Sequence, residues 1–145
     1  MTKDILNEIL LICDLFPDQM RAIAHDQFFA KPLSKWSRQE VLGHLIDSAK
    51  VNTERFVRGQ IENNPQIFYD QDDWVAVQDY QHHDKEHLIV LWESLNRHLV
   101  HVATHISEKD MERTCMMRNG QSLTLQFLIE DYLNHLQHHI GQIIY

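Results

Sequence analysis

Apolar residues recur every three or four positions in four stretches of the chain, and between those stretches the period is lost. Spacings of i, i+3, i+4 and i+7 put side chains on one face of an α-helix, so each stretch predicts an amphipathic helix with a buried stripe. The first runs from Thr2 to about Ala24, with Ile5, Ile9, Ile12 and Phe16 in its stripe. Thr2 is its expected N-cap, and Pro17 is expected to kink or restart it. The second begins at Ser37, which with Glu40 forms a capping box, and reaches about Gly59. The third starts at the N-cap candidate Asp84 and carries Leu88, Leu91, Trp92, Leu95, Leu99 and Val102 to about Ile106. The fourth starts at Ser122 or Thr124 and continues almost to the last residue. The pattern predicts an all-α fold and, with no linker, a single domain over residues 1–145.

Two connections carry information. Residues 60–83 hold no sustained period and mix aromatics with acids. A connection of that length in a small domain is usually functional or disordered, and Phe68, Tyr69 and Trp74 favour an ordered segment packed over the helices. It is either a packing loop between two parallel helices or a lid over a substrate. Residues 113–121 place Asn119-Gly120 between two short β-compatible stretches, which predicts a small hairpin.

Composition narrows the partners. With 43% hydrophobic residues and only 4 Gly and 3 Pro in 145, the chain suits long helices better than a turn-rich β fold. Its formal net charge of −8, with no Lys/Arg-rich run, argues against nucleic-acid binding. Nothing approaches roughly 18 consecutive apolar residues and the first residues show no secretory pattern, so a soluble, cytoplasmic protein without membrane contact is expected. Cys13 and Cys115 form no CxxC and no disulfide framework; both are expected to be reduced structural thiols.

The candidate chemistry lies in histidine. His135 and His139 form an i, i+4 pair on the fourth helix, about 40° apart around the axis, and two such side chains can converge on one ion. With His135 at 0°, the apolar residues from Leu125 to Ile140 fill an arc from about 20° to 160° that contains His139. Asp131, Asn134 and His138 fall on the other side, so His138 points away from the pair. On the second helix His44 lies at the rim of a stripe containing Val41, Leu42, Leu45, Ala49 and Phe56. Three imidazoles at the edges of core-facing stripes can meet at one mouth of a bundle. Two readings fit this spacing: each imidazole is a core-edge side chain satisfied by a hydrogen bond, or the three hold a divalent ion. His98, His101 and His105 contain a second i, i+4 pair, but they lie about 60° to 120° off the third helix's stripe and read as a solvated flank.

Trp36-Ser37, the run Gly43-His44-Leu45-Ile46-Asp47-Ser48, the Tyr69-Asp70 and Trp74 segment, and His135 through His139 to Gln142 occur in that order. Together they resemble the DinB-like superfamily of bacterial metal-binding four-helix bundles, and the resemblance covers almost the whole chain. It implies an up-down-down-up four-helix bundle with a long connection between its second and third helices, and homodimers as a common assembly. It also implies a divalent metal ion; its identity stays open on donor chemistry, with zinc or nickel expected first and iron or manganese as further options. Carried over by position, the ligands are His44, His135 and His139. The family includes transferases and isomerases that use low-molecular-weight thiols, and metal-dependent hydrolases.

Three imidazoles leave an open position on the ion, the arrangement of a catalytic site. The expected function is a metal-dependent enzyme of the S-transferase type that activates a small thiol for attack on an electrophilic small-molecule substrate. The alternatives are a hydrolase that activates water on the same ligands, and a non-enzymatic metal-binding or stress-related regulatory module. Asn52 and Arg55 continue the His44 face with Ser48 and suggest contacts for an anionic thiol, although Arg55 equally suits a structural ion pair. Asp47 and Asp131 are spaced to accept the free ring N–H of His44 and His135, or to stand as surface acids; Asp47 is also the nearest general acid/base for a hydrolase.

Overall fold

The computed structural model describes residues 1–33 and 35–145. Four long helices form the bundle: α1 (Thr2–Arg21), α3 (Arg38–Ile61), α5 (Lys85–Thr104) and α6 (Leu125–Ile144). Between them lie the short helices α2 (His25–Phe29) and α4 (Gln71–Gln78), single 3-10 turns at Tyr80–His82 and Asp110–Glu112, and a hairpin of β1 (Thr114–Met116) and β2 (Ser122–Thr124). Both α1 and α3 pack chiefly against α5 and α6, so α1 stands diagonally opposite α3.

Contacts between helix ends fix the directions. Arg21 at the end of α1 pairs with Glu86 at the start of α5, so these two run antiparallel. Arg38 at the start of α3 donates to the Ile143 carbonyl at the end of α6, which makes that pair antiparallel as well. Gln39 at the start of α3 donates to the His83 carbonyl just before α5, so α3 and α5 run parallel. The topology is up-down-down-up, as the resemblance implied. Parallel neighbours cannot be joined by a tight turn; the chain leaving α3 must return along a helix of 24 residues, about 36 Å at 1.5 Å per residue. Residues 62–84 make that journey.

The local signals held at three helix starts and failed at the first. Ser37 and Glu40 form both halves of the capping box, and Asp84 and Thr124 cap α5 and α6 through His87 N–H and Phe127 N–H. At α1 the cap is Met1 without a side-chain bond, and Thr2 is already helical. The helix runs through Pro17 to Arg21 without restarting, because proline's fixed φ is helical and one missing N–H is outweighed by burial of its ring. The buried stripe is Leu6, Ile9, Cys13, Phe16 and Met20, with Ile5 and Ile12 on its flank. Phe16 meets Trp92 edge to face at 5.1 Å, joining α1 to α5 in the core.

The 62–84 connection is ordered rather than irregular. Asp70 caps α4 by accepting from Asp73 N–H, yet α4 buries only Val75 along its 8 residues, too little apolar repetition to show as a period. The expected hairpin is present, with Gly120 in the left-handed region at φ 83°, and Met116 N–H also donates to the Pro65 carbonyl. Cys13 and Cys115 are buried free thiols. Among the described residues no helix is long and apolar enough to cross a membrane.

Candidate metal centre

Because α3 and α6 run antiparallel, the first part of α3 faces the last part of α6, and His44 stands level with His135 and His139. The Nε2 atoms of His44 and His135 are 3.2 Å apart, and those of His139 and His135 3.1 Å. Two ligand nitrogens at about 2.1 Å from one ion lie about 3.0 Å apart at a 90° angle and about 3.4 Å apart at the tetrahedral angle, so these separations suit a shared ion. Hydrogen bonds account for them poorly, since the one Nε2 of His135 cannot both donate and accept, nor receive two N–H groups well. Among the described residues this is the only group of three or more candidate ligands whose donor atoms lie within 4.8 Å of one another.

The surroundings keep the three rings neutral. His44 is 1% exposed, and burial, then the neighbouring His135 and His139, push its pKa down to about 3. Burial, then His139 and His138, push His135 down to about 4. Burial also lowers His139, with Gln142 acting in the opposite direction. A neutral imidazole offers the lone pair that a metal needs. The wheel placed His44 at a rim, whereas it is fully buried. It misjudged α3 as one-sided: α2, α4, α5 and α6 all touch this helix, which buries Gln39, Asp47, Ser48 and Asn52 as well.

Of the candidate supporting residues, Asp131 takes the surface-acid alternative, while Asp47, Asn52 and Arg55 are engaged away from the trio. Asp47 is buried, but its Oδ1 accepts from Gln78 Nε2 at 2.9 Å and from Tyr80 O–H at 2.7 Å, and it makes no hydrogen bond to His44. Its pKa is raised by burial against the pull of those two donors. Asp131 is exposed and leaves His135 alone, because it projects to the solvent side of α6. Arg55 donates from Nε and Nη2 to the Ile67 carbonyl at 3.0 and 2.7 Å, so it fastens the return connection, and it forms no ion pair among the described residues. Asn52 donates back to the Ser48 carbonyl at 2.8 Å. His138 is exposed and outside the trio, and His98, His101 and His105 form an exposed flank.

Two contacts escaped the sequence reasoning. Gln142 Oε1 lies 2.8 Å from His139 Nδ1 and accepts its proton, which fixes the tautomer that frees Nε2. The signal was present: Gln142 follows His139 by three residues on the same helical face. Trp36, just before the α3 cap, sets its ring 5.1 Å from that of His44. A third arrangement stands behind them. A Cβ on Gly43 would lie 2.1 Å from the Tyr80 ring, so glycine alone lets that ring lie flat on α3 while its hydroxyl reaches Asp47 one turn further on. The return connection is thereby latched one residue from His44. Beside His139 opens a cleft of about 550 Å³, walled by Trp36, Lys35 and Arg38 on one side and Gln71 and Asp72 of α4 on the other.

The sequence and the bundle fold are both matched by known proteins. The sequence profile of the DinB superfamily matches residues 14–143. The chain belongs to the DinB superfamily. A relative from Oceanobacillus iheyensis, named as a candidate metal-dependent hydrolase, is 30% identical over 109 residues, 74% of this chain. This DinB-superfamily chain spans 63% of that relative's length. Among solved structures, YfiT from Bacillus subtilis, described as a candidate metal-dependent hydrolase with an unusual four-helix bundle topology, superposes with a TM-score of 0.83. That match is 20% identical and covers 95% of this chain and 83% of YfiT. A mycothiol-dependent maleylpyruvate isomerase gives a TM-score of 0.81 at 14% identity, covering 99% of this chain and 60% of that one. Identities this low establish a shared bundle fold.

Proposed function

We propose that His44, His135 and His139 are the three protein ligands of one divalent metal ion, and that the protein is a metal-dependent enzyme acting on a small molecule admitted beside His139. The observation that carries this reading is the meeting of three neutral imidazole nitrogens at separations suited to one ion. Such an ion supplies an open position that acidifies a bound water or thiol and polarises an electrophile. The chain does the rest. Gln142 holds His139 in the ligating tautomer, Trp36 covers His44, and the Tyr80 latch keeps the return connection beside the trio. An all-imidazole donor set accepts zinc and nickel, as it does iron and copper, and availability decides among them.

Between the two reactions, hydrolysis is favoured. Asn52 and Arg55, the groups expected to receive an anionic thiol, are committed to Ser48 and to the Ile67 carbonyl inside the fold. The curated relative at 30% identity is also named for metal-dependent hydrolysis. Thiol transfer is the second reading, and the likeness to a mycothiol-dependent isomerase over 99% of this chain is what favours it. The test is turnover of ester and amide panels by zinc-loaded and nickel-loaded protein, beside conjugation of electrophiles with small thiols. Hydrolysis without added thiol, lost in His44→Ala, supports the first reading; a saturable thiol requirement supports the second. Absence of both, with partner binding that differs between metal-free and metal-loaded protein, replaces the enzyme by a regulatory module.

A further inference from the structure

We propose that the cleft beside His139 is a subsite for a small planar monoanion, an aromatic or conjugated carboxylate, held by Lys35 and Arg38 against the indole of Trp36. The inference rests on the reading of the histidine trio as the reactive centre and adds its substrate class. The cleft's volume of about 550 Å³ falls in the range of small-molecule sites. His139 and Trp36 both line it, and Trp36 packs on His44, so a molecule in the cleft abuts the trio.

Charge decides the class. The chain carries a formal −8, yet the cleft collects two cations. Arg21, Arg58 and Arg97 each pair with two carboxylates. Arg38, like Arg55 and Arg113, donates to carbonyls instead, but of these three it alone lines the cleft: its Nε donates to the Ile143 carbonyl at 2.7 Å and its Nη1 to the Gln27 carbonyl at 3.2 Å. Those carbonyls pin the guanidinium without neutralising it, and its Nη2 makes no bond among the described residues. A fixed, uncompensated guanidinium at the wall of a cleft is a preorganised anion contact. Lys35 adds a second positive charge and Asp72, on the facing wall, one negative charge. That balance matches one carboxylate and disfavours a phosphate dianion. Trp36 supplies the apolar surface on which a planar body stacks. With its carboxylate on Lys35 and Arg38, the planar body of such a molecule lies against Trp36 in the cleft that His139 also lines.

Calorimetric titration with benzoate, and with benzamide as its uncharged counterpart, tests the subsite on zinc-loaded and zinc-free protein. Benzoate should bind in both states and benzamide at least about tenfold more weakly, the loss of one charged contact. Lys35→Glu, an exposed change that spares the fold, should weaken benzoate by about tenfold or more, and Arg38→Gln similarly, with Arg38→Lys recovering part of the loss. Equal binding of the two probes, no benzoate binding to wild type, or an unchanged affinity in Lys35→Glu overturns the proposal. Zinc titrated into the same preparations reports on the histidine centre separately. Failure of zinc to bind with benzoate discrimination intact refutes the metal reading alone, and zinc binding without benzoate discrimination refutes the anion subsite alone.

Discussion

At the scale of single residues the molecule turns on His135 Nε2, which lies within 3.2 Å of the same atom in both His44 and His139. Replacing His139 by alanine is expected to remove stoichiometric zinc, whereas His138→Ala, one residue away but exposed, should leave zinc content unchanged by elemental analysis. The pH dependence follows from the same rings. His44 at about 3 and His135 at about 4 bind fewer protons folded than unfolded, where the ordinary value is 6.5. Stability of metal-free protein therefore falls as pH drops from about 6.5 toward 3 and is fully present above that window. Thermal melts in a chelator should show this slope, and His44→Gln should flatten it; a wild-type melting temperature constant over the window would contradict the assignment. His44, His135 and His139 were legible because helical spacing and family resemblance converge on them. The roles of Asp47, Asn52 and Arg55 were not legible, since their partners Tyr80, Gln78, Ser48 and Ile67 depend on which way side chains turn and on how the return connection lies.

At the scale of elements, the capping signals at Ser37, Asp84 and Thr124 and the Asn119-Gly120 hairpin were readable because each is satisfied within a few residues. Helix α4 was unreadable for the opposite reason: its one buried residue is Val75, and its order comes from packing on α3. The Tyr80 latch is the element-scale device that this packing creates. Gly43→Ala should push the Tyr80 ring off α3 and destabilise the fold by about 1–3 kcal/mol, the usual cost of overpacking. Tyr80→Phe should cost a similar amount, about 1–3 kcal/mol, by taking one of two donors from buried Asp47. Urea denaturation measures both. Each variant should still bind one equivalent of zinc, because the latch positions the connection and supplies no ligand; an undiminished stability in Gly43→Ala would mean that the close ring contact carries no packing load.

At the scale of the whole molecule, the up-down-down-up order is what makes the site. It sets α3 antiparallel to α6, and so brings a histidine early in one helix level with two late in the other, across a sequence separation of 91 residues. The core that holds Phe16 and Trp92 is apolar and includes none of the three histidines. A chelator should therefore leave helical circular dichroism intact while lowering the melting temperature; saturating zinc at about 100 times its Kd contributes about 2.7 kcal/mol. Whether His44, His135 and His139 share one ion is decided by anomalous diffraction above and below the zinc edge from crystals grown with zinc. One strong peak per chain is expected at about 2.0–2.1 Å from all three Nε2 atoms. No peak there, or zinc found on the His101 and His105 flank with the trio still linked ring to ring, would contradict it.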